Sequence, residues 1–215
     1  MIRGMEIEVY ADVVCPWCYV GKRRLEQALA AYDGDVTLRY RPFQLDPSPV
    51  PEPRPLLDGL AAKFGGVEQA RQMADHVAGV AAGVGLKLDF DRAVTANTFD
   101  AHRLIRFADA RGRAAETIEG LFKAHFTDGV DIGSRSALAS VAASVGLDAP
   151  EVRAFLDSDA GVAELQAELA EARSIGVTSV PTFVLAGRYA VSGAQEPETL
   201  LAALAEVERR ESSDG

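Results

Sequence analysis

The stretch VVCPWCYVG, residues 13–21, holds both cysteines of the chain, Cys15 and Cys18, and its reading decides how the rest is organised. A C-x-x-C pair can serve as a metal clip, a structural disulfide or a redox reagent. Structural zinc takes four ligands, commonly as two pairs. The histidines His76, His102 and His125 have no spacing that would supply the second pair, so no metal is expected. At 215 residues the chain buries a core without a covalent staple, and in a reducing compartment a disulfide is usually transient and catalytic. A thiol reagent is the remaining reading.

Outward from the motif, MEIEVYADV (residues 5–13) alternates Ile7, Val9 and Ala11 against Glu6, Glu8 and Tyr10, the period of a strand with one buried face. The cysteines follow directly, and GKRRLEQALAAYDG places Leu25, Ala28, Leu29 and Tyr32 on one helical face, closed by Gly34. VTLRYRPFQL (residues 36–45) returns to alternation, which makes strand, helix, strand, long enough for a parallel crossover. Five prolines between Pro47 and Pro55 then break regular structure. From Leu56 to about Ile175 the pattern is helical. Two short β runs, 182–186 and 188–191, hinge near Gly187, and a last helix carries Pro197 in its first turn.

This order predicts an α/β fold in three sequence segments: 1–55 a βαβ half, 56–175 a helical insertion, and 176–215 a ββα half. In that setting Cys15 follows a strand and opens a helix, with Pro16 fixing φ where a missing donor costs nothing. First-turn amides and the positive end of the helix dipole favour the thiolate of Cys15, which makes it the expected nucleophile. Cys18, one turn further in, is placed to resolve a mixed disulfide formed there. Pro16 and Trp17 between them tune the pair. Far along the chain, SIGVTSVPTFVL sets Val180-Pro181 at a strand start, where proline cannot join a ladder. A cis bond there would turn the Val180 backbone toward an extended substrate.

Charge and hydropathy narrow the partners. A net charge of −10 and a pI near 4.8 argue against nucleic acid and against an anionic membrane surface. No run approaches the roughly 18 apolar residues of a membrane span. MIRGMEIEVY does not read as a secretory signal, so a cytoplasmic location is expected. Asp12, three residues before Cys15, is a candidate cleft residue and proton shuttle, set against a strand-end cap. Lys22, Arg23 and Arg24 read as a solvated face.

DVVCPWCYVGKRRLEQAL, NTFDAHRLIRFA (residues 97–108) and GVTSVPTFVLAGRYAVSGAQEPETL (176–200) together resemble the DsbA-like branch of the thioredoxin superfamily, and within it the FrnE-like proteins. The resemblance implies a thioredoxin fold split by a helical insertion. It also implies Cys15 as attacking and Cys18 as resolving cysteine, Pro181 as the cis-proline facing them, and Asn97 and His102 as candidate cleft residues. The implied activity is a thiol–disulfide oxidoreductase or disulfide isomerase acting on thiol or disulfide proteins and peptides as monomer or homodimer, recharged by a cellular thiol reductant. No bound cofactor is implied beyond the redox-active Cys15–Cys18 pair, with glutathione a candidate co-substrate. A neighbouring branch, the 2-hydroxychromene-2-carboxylate isomerases and kappa-class glutathione transferases, has serine where Cys15 stands and supplies the alternative of a glutathione-dependent small-molecule enzyme. For that alternative the 192–195 segment and the Thr178–Val180 turn would cradle the peptide through main-chain donors and hydroxyls. A chaperone-like factor in polyketide biosynthesis is the third reading.

Overall fold

The computed structural model describes residues 4–213. The chain divides into two compact units, one running to Phe43 and resuming at Glu168, the other comprising Gln44–Ala167. In the first, β1 (Met5–Ala11), α1 (Pro16–Ala30) and β2 (Val36–Pro42) form a right-sized crossover, and β1 and β2 pair in parallel from Met5↔Val36 to Ala11↔Pro42. The chain returns with β3 (Thr182–Leu185), antiparallel to β1, and β4 (Tyr189–Ser192), antiparallel to β3. The sheet is mixed and open, in the order β2-β1-β3-β4. Its last hairpin turns through Ala186 and Gly187, with φ of 51° and 67° and the Arg188 amide donating to the Leu185 carbonyl at 3.1 Å. Positive φ at both central positions is the I′ geometry that matches strand twist. This is the βαβ…ββα arrangement expected from the order of elements, and the thioredoxin-type fold that the resemblance implied.

The period-two alternation of β1 sorts its side chains to opposite faces of the sheet. Ile7 and Val9 join Leu25 and Ala28 of α1, Phe183 and Leu185 of β3, and Leu200, Leu204 and Val207 of the last helix in one buried cluster. Each of these side chains larger than alanine contributes about 1.5–3 kcal/mol through burial. On the opposite face Tyr10 packs with Ala172 and Val177, and partly buried Phe43, Val180 and Val184 close over them. Glu6 and Glu8 pair with Arg39 and Arg41 at 2.7 and 2.6 Å, bridging β1 to β2 where both strands are wet.

The second unit is helical: α2 (Leu56–Phe64), α3 (Val67–Gly83), α4 (Phe99–Asp109), α5 (Ala114–Phe126), α6 (Arg135–Ser144), α7 (Ala149–Asp157) and the first turns of α8 (Val162–Ser174), which leads back to the sheet. Within it Arg103 is 1% exposed and fully engaged. Its guanidinium donates to the carbonyls of Phe155, Leu156, Ser158 and Ala160 and pairs with Asp100 at 2.7 Å. A buried cation is thereby satisfied by the open carbonyl end of α7. His125 is buried edge-on against Phe126 at 4.5 Å between centroids. The closing helix is α9 (Pro197–Ser213).

Candidate active site

Cys15 is the N-cap of α1, with extended φ and ψ of −92° and 112°, and Pro16 is the first helical residue. Backbone bonds tie this corner down. The Cys15 amide donates to the Asp12 carbonyl at 3.0 Å, and the Cys18 amide to the Cys15 carbonyl at 3.1 Å. Contrary to the expectation of amides converging on the sulfur, the Cys15 side chain makes no capping bond. Its Sγ turns instead toward β3 and lies 3.7 Å from the Val180 carbonyl oxygen, to which the thiol donates. Of the two helix-end effects, the dipole alone then acts on Cys15.

Both cysteines are unbridged and buried, and Pro16 and Trp17 between them are half-buried. Burial first, then the hydrogen bond and charge of Cys15, push the Cys18 thiol well above the ordinary cysteine range. A backbone hydrogen bond from Asp12 acts the other way, and the Asp12 carboxylate adds to the rise. Asp12 is fully buried, so its charge acts on Cys18 through little solvent. The sheet and α1 therefore bring Asp12, Cys15, Cys18, Val180 and Pro181 to one corner of the first unit.

The Val180–Pro181 peptide is cis. The Pro181 carbonyl accepts from the Gly193 amide at 2.8 Å. Arg24 fastens the same loop to α1, donating to the Ala194 carbonyl at 2.6 Å and pairing with Glu196 at 2.6 Å. The reading of Lys22, Arg23 and Arg24 as a solvated face is therefore corrected. Lys22 is 6% exposed and pairs with Glu26 at 2.5 Å, Arg23 lies over the Tyr19 ring, and Arg24 reaches a loop 170 residues away. Charged heads with long apolar stems pack along a helix while still finding partners.

The 192–195 segment differs from a ready-made peptide cradle. The Gly193 amide is engaged by Pro181, the Gln195 amide by the Gly193 carbonyl at 2.9 Å, and the Gln195 side chain by the Ser192 carbonyl at 2.8 Å. Asn97 and His102 belong to the helical unit. Asn97 ties the start of α4 to the distant 47–48 segment, donating to the carbonyls of Pro47 and Ser48 while accepting from the Phe99 amide. His102 is buried in α4 at 3% exposure.

Sequence reading passed over Gly21. It lies inside α1, where glycine costs roughly 1 kcal/mol relative to alanine. A Cβ there would sit 2.8 Å from Pro181 Cγ and 3.3 Å from Phe183 Cζ. A glycine placed against helix propensity was the available signal.

Among the described residues no group of three or more His, Cys, Asp or Glu side chains is placed to hold a metal, and no helix is long and apolar enough to cross a membrane. A four-stranded thioredoxin-type sheet carrying a C-x-x-C pair at a helix N-terminus defines the fold of a thiol–disulfide oxidoreductase. The chain belongs to the DSBA-like thioredoxin domain family, whose model matches residues 6–205. Its structure is similar to that of the probable DsbA oxidoreductase SCO1869 of Streptomyces coelicolor, at 39% identity and a TM-score of 0.89 over 94% of this chain and 89% of that one. It is 27% identical to YwbO, an uncharacterized protein of Bacillus subtilis (strain 168), over 96% of this chain and 98% of the relative. The cytosolic disulfide reductase DsbM of Pseudomonas aeruginosa shares the fold at 20% identity, with a TM-score of 0.65 over 95% of this chain and 98% of that one.

Proposed function

We propose that the protein is a cytosolic thiol–disulfide exchanger of the FrnE-like branch, working as an isomerase or reductase on protein and peptide substrates. The single observation that carries this reading is the approach of the Cys15 Sγ to the Val180 carbonyl, 3.7 Å apart. It sets a nucleophile at the start of α1 beside a backbone edge that an extended peptide can pair with.

In the proposed cycle the Cys15 thiolate attacks one sulfur of a substrate disulfide, forming a Cys15–substrate bond and releasing the other sulfur as a thiolate that takes up a proton. Once Cys15 has given up its proton, the Val180 carbonyl loses that donor and can accept from a substrate amide. For reduction, Cys18 loses its proton to Asp12, attacks Cys15 Sγ and expels the second substrate thiol. Two electrons have then passed from the dithiol to the substrate, and a cellular thiol restores the Cys15–Cys18 pair. For isomerisation a different substrate thiol attacks the mixed disulfide first, and no net electrons move. A resolving thiol held protonated by burial leaves time for that competing attack. The cytosolic setting accords with exchange driven by a reducing thiol pool.

The test compares wild type with Cys15→Ser on a peptide disulfide in a glutathione buffer. The proposal expects loss of exchange in the variant, and full retention would overturn it. Glutathione capture with turnover indifferent to Cys18→Ser would assign the small-molecule reaction instead. Fluorescence of Trp17, the one tryptophan, reads the potential: about −180 to −120 mV marks an isomerising exchanger and about −270 mV or lower a reductase.

A further inference from the structure

We infer that Gly21 is a positioning residue, the spacer that sets how closely the Val180–Pro181 backbone is presented to Cys15. This rests on the exchange reaction proposed above. A Cβ at Gly21 would meet Pro181 Cγ at 2.8 Å, Phe183 Cζ at 3.3 Å and Pro181 Cβ at 3.4 Å, so helix and proline ring already touch with no room between them. Room to yield is small. Phe183 is fully buried in the cluster with Ile7, Val9 and Leu25, and the Pro181 ring can shift its Cγ only by a change of pucker, its Cβ still lying 3.4 Å from the added atom.

The segment is also gripped from behind. The Gly193 amide holds the Pro181 carbonyl at 2.8 Å, and Arg24, three residues along α1 from Gly21, holds the Ala194 carbonyl at 2.6 Å. An added methyl must therefore push α1 and the Pro181 segment apart. Cys15 rides on α1 and Val180 on that segment, so the 3.7 Å approach between them opens with it. Gly79, inside α3, marks the contrast, since a Cβ there meets nothing within 4 Å.

The experiment measures second-order rates of the reduced protein with a peptide disulfide and with bis(2-hydroxyethyl) disulfide, which has no backbone to present. Gly21→Ala is expected to slow the peptide reaction about tenfold or more and the small disulfide by less than about threefold, because misplacement penalises oriented substrates most. Gly79→Ala is expected to leave both rates as they are. In a Pro181→Ala background, where the opposing ring atom is gone, adding Gly21→Ala is expected to change the peptide rate by less than about twofold. Equal slowing of both substrates, no slowing, or an undiminished effect in the Pro181→Ala background would each overturn the spacer role. If Gly21→Ala alone does not fold, recovery of the fold by Pro181→Ala supports the role and continued unfolding overturns it. A wild type inert toward both disulfides would overturn the exchange reading itself, and the spacer with it.

Discussion

The Cys15 Sγ lies 3.7 Å from the carbonyl oxygen of Val180, although 165 residues of chain separate them. Two distant segments meet there because β3 pairs antiparallel with β1, Tyr10 opposite Thr182, at the end of the strand that feeds Cys15. The contact places a sulfur beside a main-chain acceptor, and in the proposed cycle it divides the labour between the cysteines. Both are buried, Cys15 at 5% and Cys18 at 2% exposure, and it is the Cys15 Sγ that meets the Val180 backbone.

Burial, followed by the hydrogen bond and charge of Cys15, raises the Cys18 thiol in the folded state. In the unfolded chain a cysteine titrates near about pH 8.5, so folding favours the protonated thiol. That contribution is fully present below about pH 8.5 and is lost as the pH climbs toward the raised folded value. The reduced protein should therefore lose thermal stability above about pH 8.5 more steeply than Cys18→Ala. Melting curves taken across that range check it, and parallel slopes for the two proteins would contradict it.

Asp12 has two conceivable effects on Cys18, of opposite sign. As a fixed negative charge it keeps the thiol protonated, so Asp12→Asn would speed resolution of the mixed disulfide. As the proton acceptor it makes resolution possible, so the same change would slow it. The proposed cycle expects slowing of about tenfold or more, with attack by Cys15 far less affected. Rapid-quench analysis of mixed-disulfide decay separates the two, and faster decay would remove Asp12 from the cycle.

Arg24 joins α1 to the loop that follows β4 through one carbonyl and one exposed carboxylate. Arg24→Met keeps the apolar stem and removes both bonds, so a loss of about 1–2 kcal/mol is expected. For a chain of this length that lowers the melting midpoint by roughly 2–8 °C. An unchanged midpoint would mean that the loop is held by Gly193 alone.

How much of this was legible in the sequence depends on the range of the interaction. Period-two alternation around Ile7 and Val9, the breaks at Pro47–Pro55 and the turn at Gly187 are local signals, and they carried the order βαβ, helices, ββα. The C-x-x-C pair between strand and helix carried the candidate site. The engagement of Arg24 was not legible, because it depends on a loop arriving from 170 residues away. Gly21 reads as an ordinary helix residue until Pro181 is set against it. For Asn97, the family resemblance of residues 97–108 was visible, but its bonds to the Pro47 and Ser48 carbonyls, about fifty residues earlier, were not.

The most direct test traps the intermediate. Reduced Cys18→Ala, which cannot resolve, is mixed with a peptide disulfide, quenched with acid and mapped by mass spectrometry, with Cys15→Ala as its counterpart. The account predicts a stable adduct on Cys15 in Cys18→Ala and little adduct on Cys18 in Cys15→Ala over the same time. Adduct forming at Cys18 as fast as at Cys15 would contradict it.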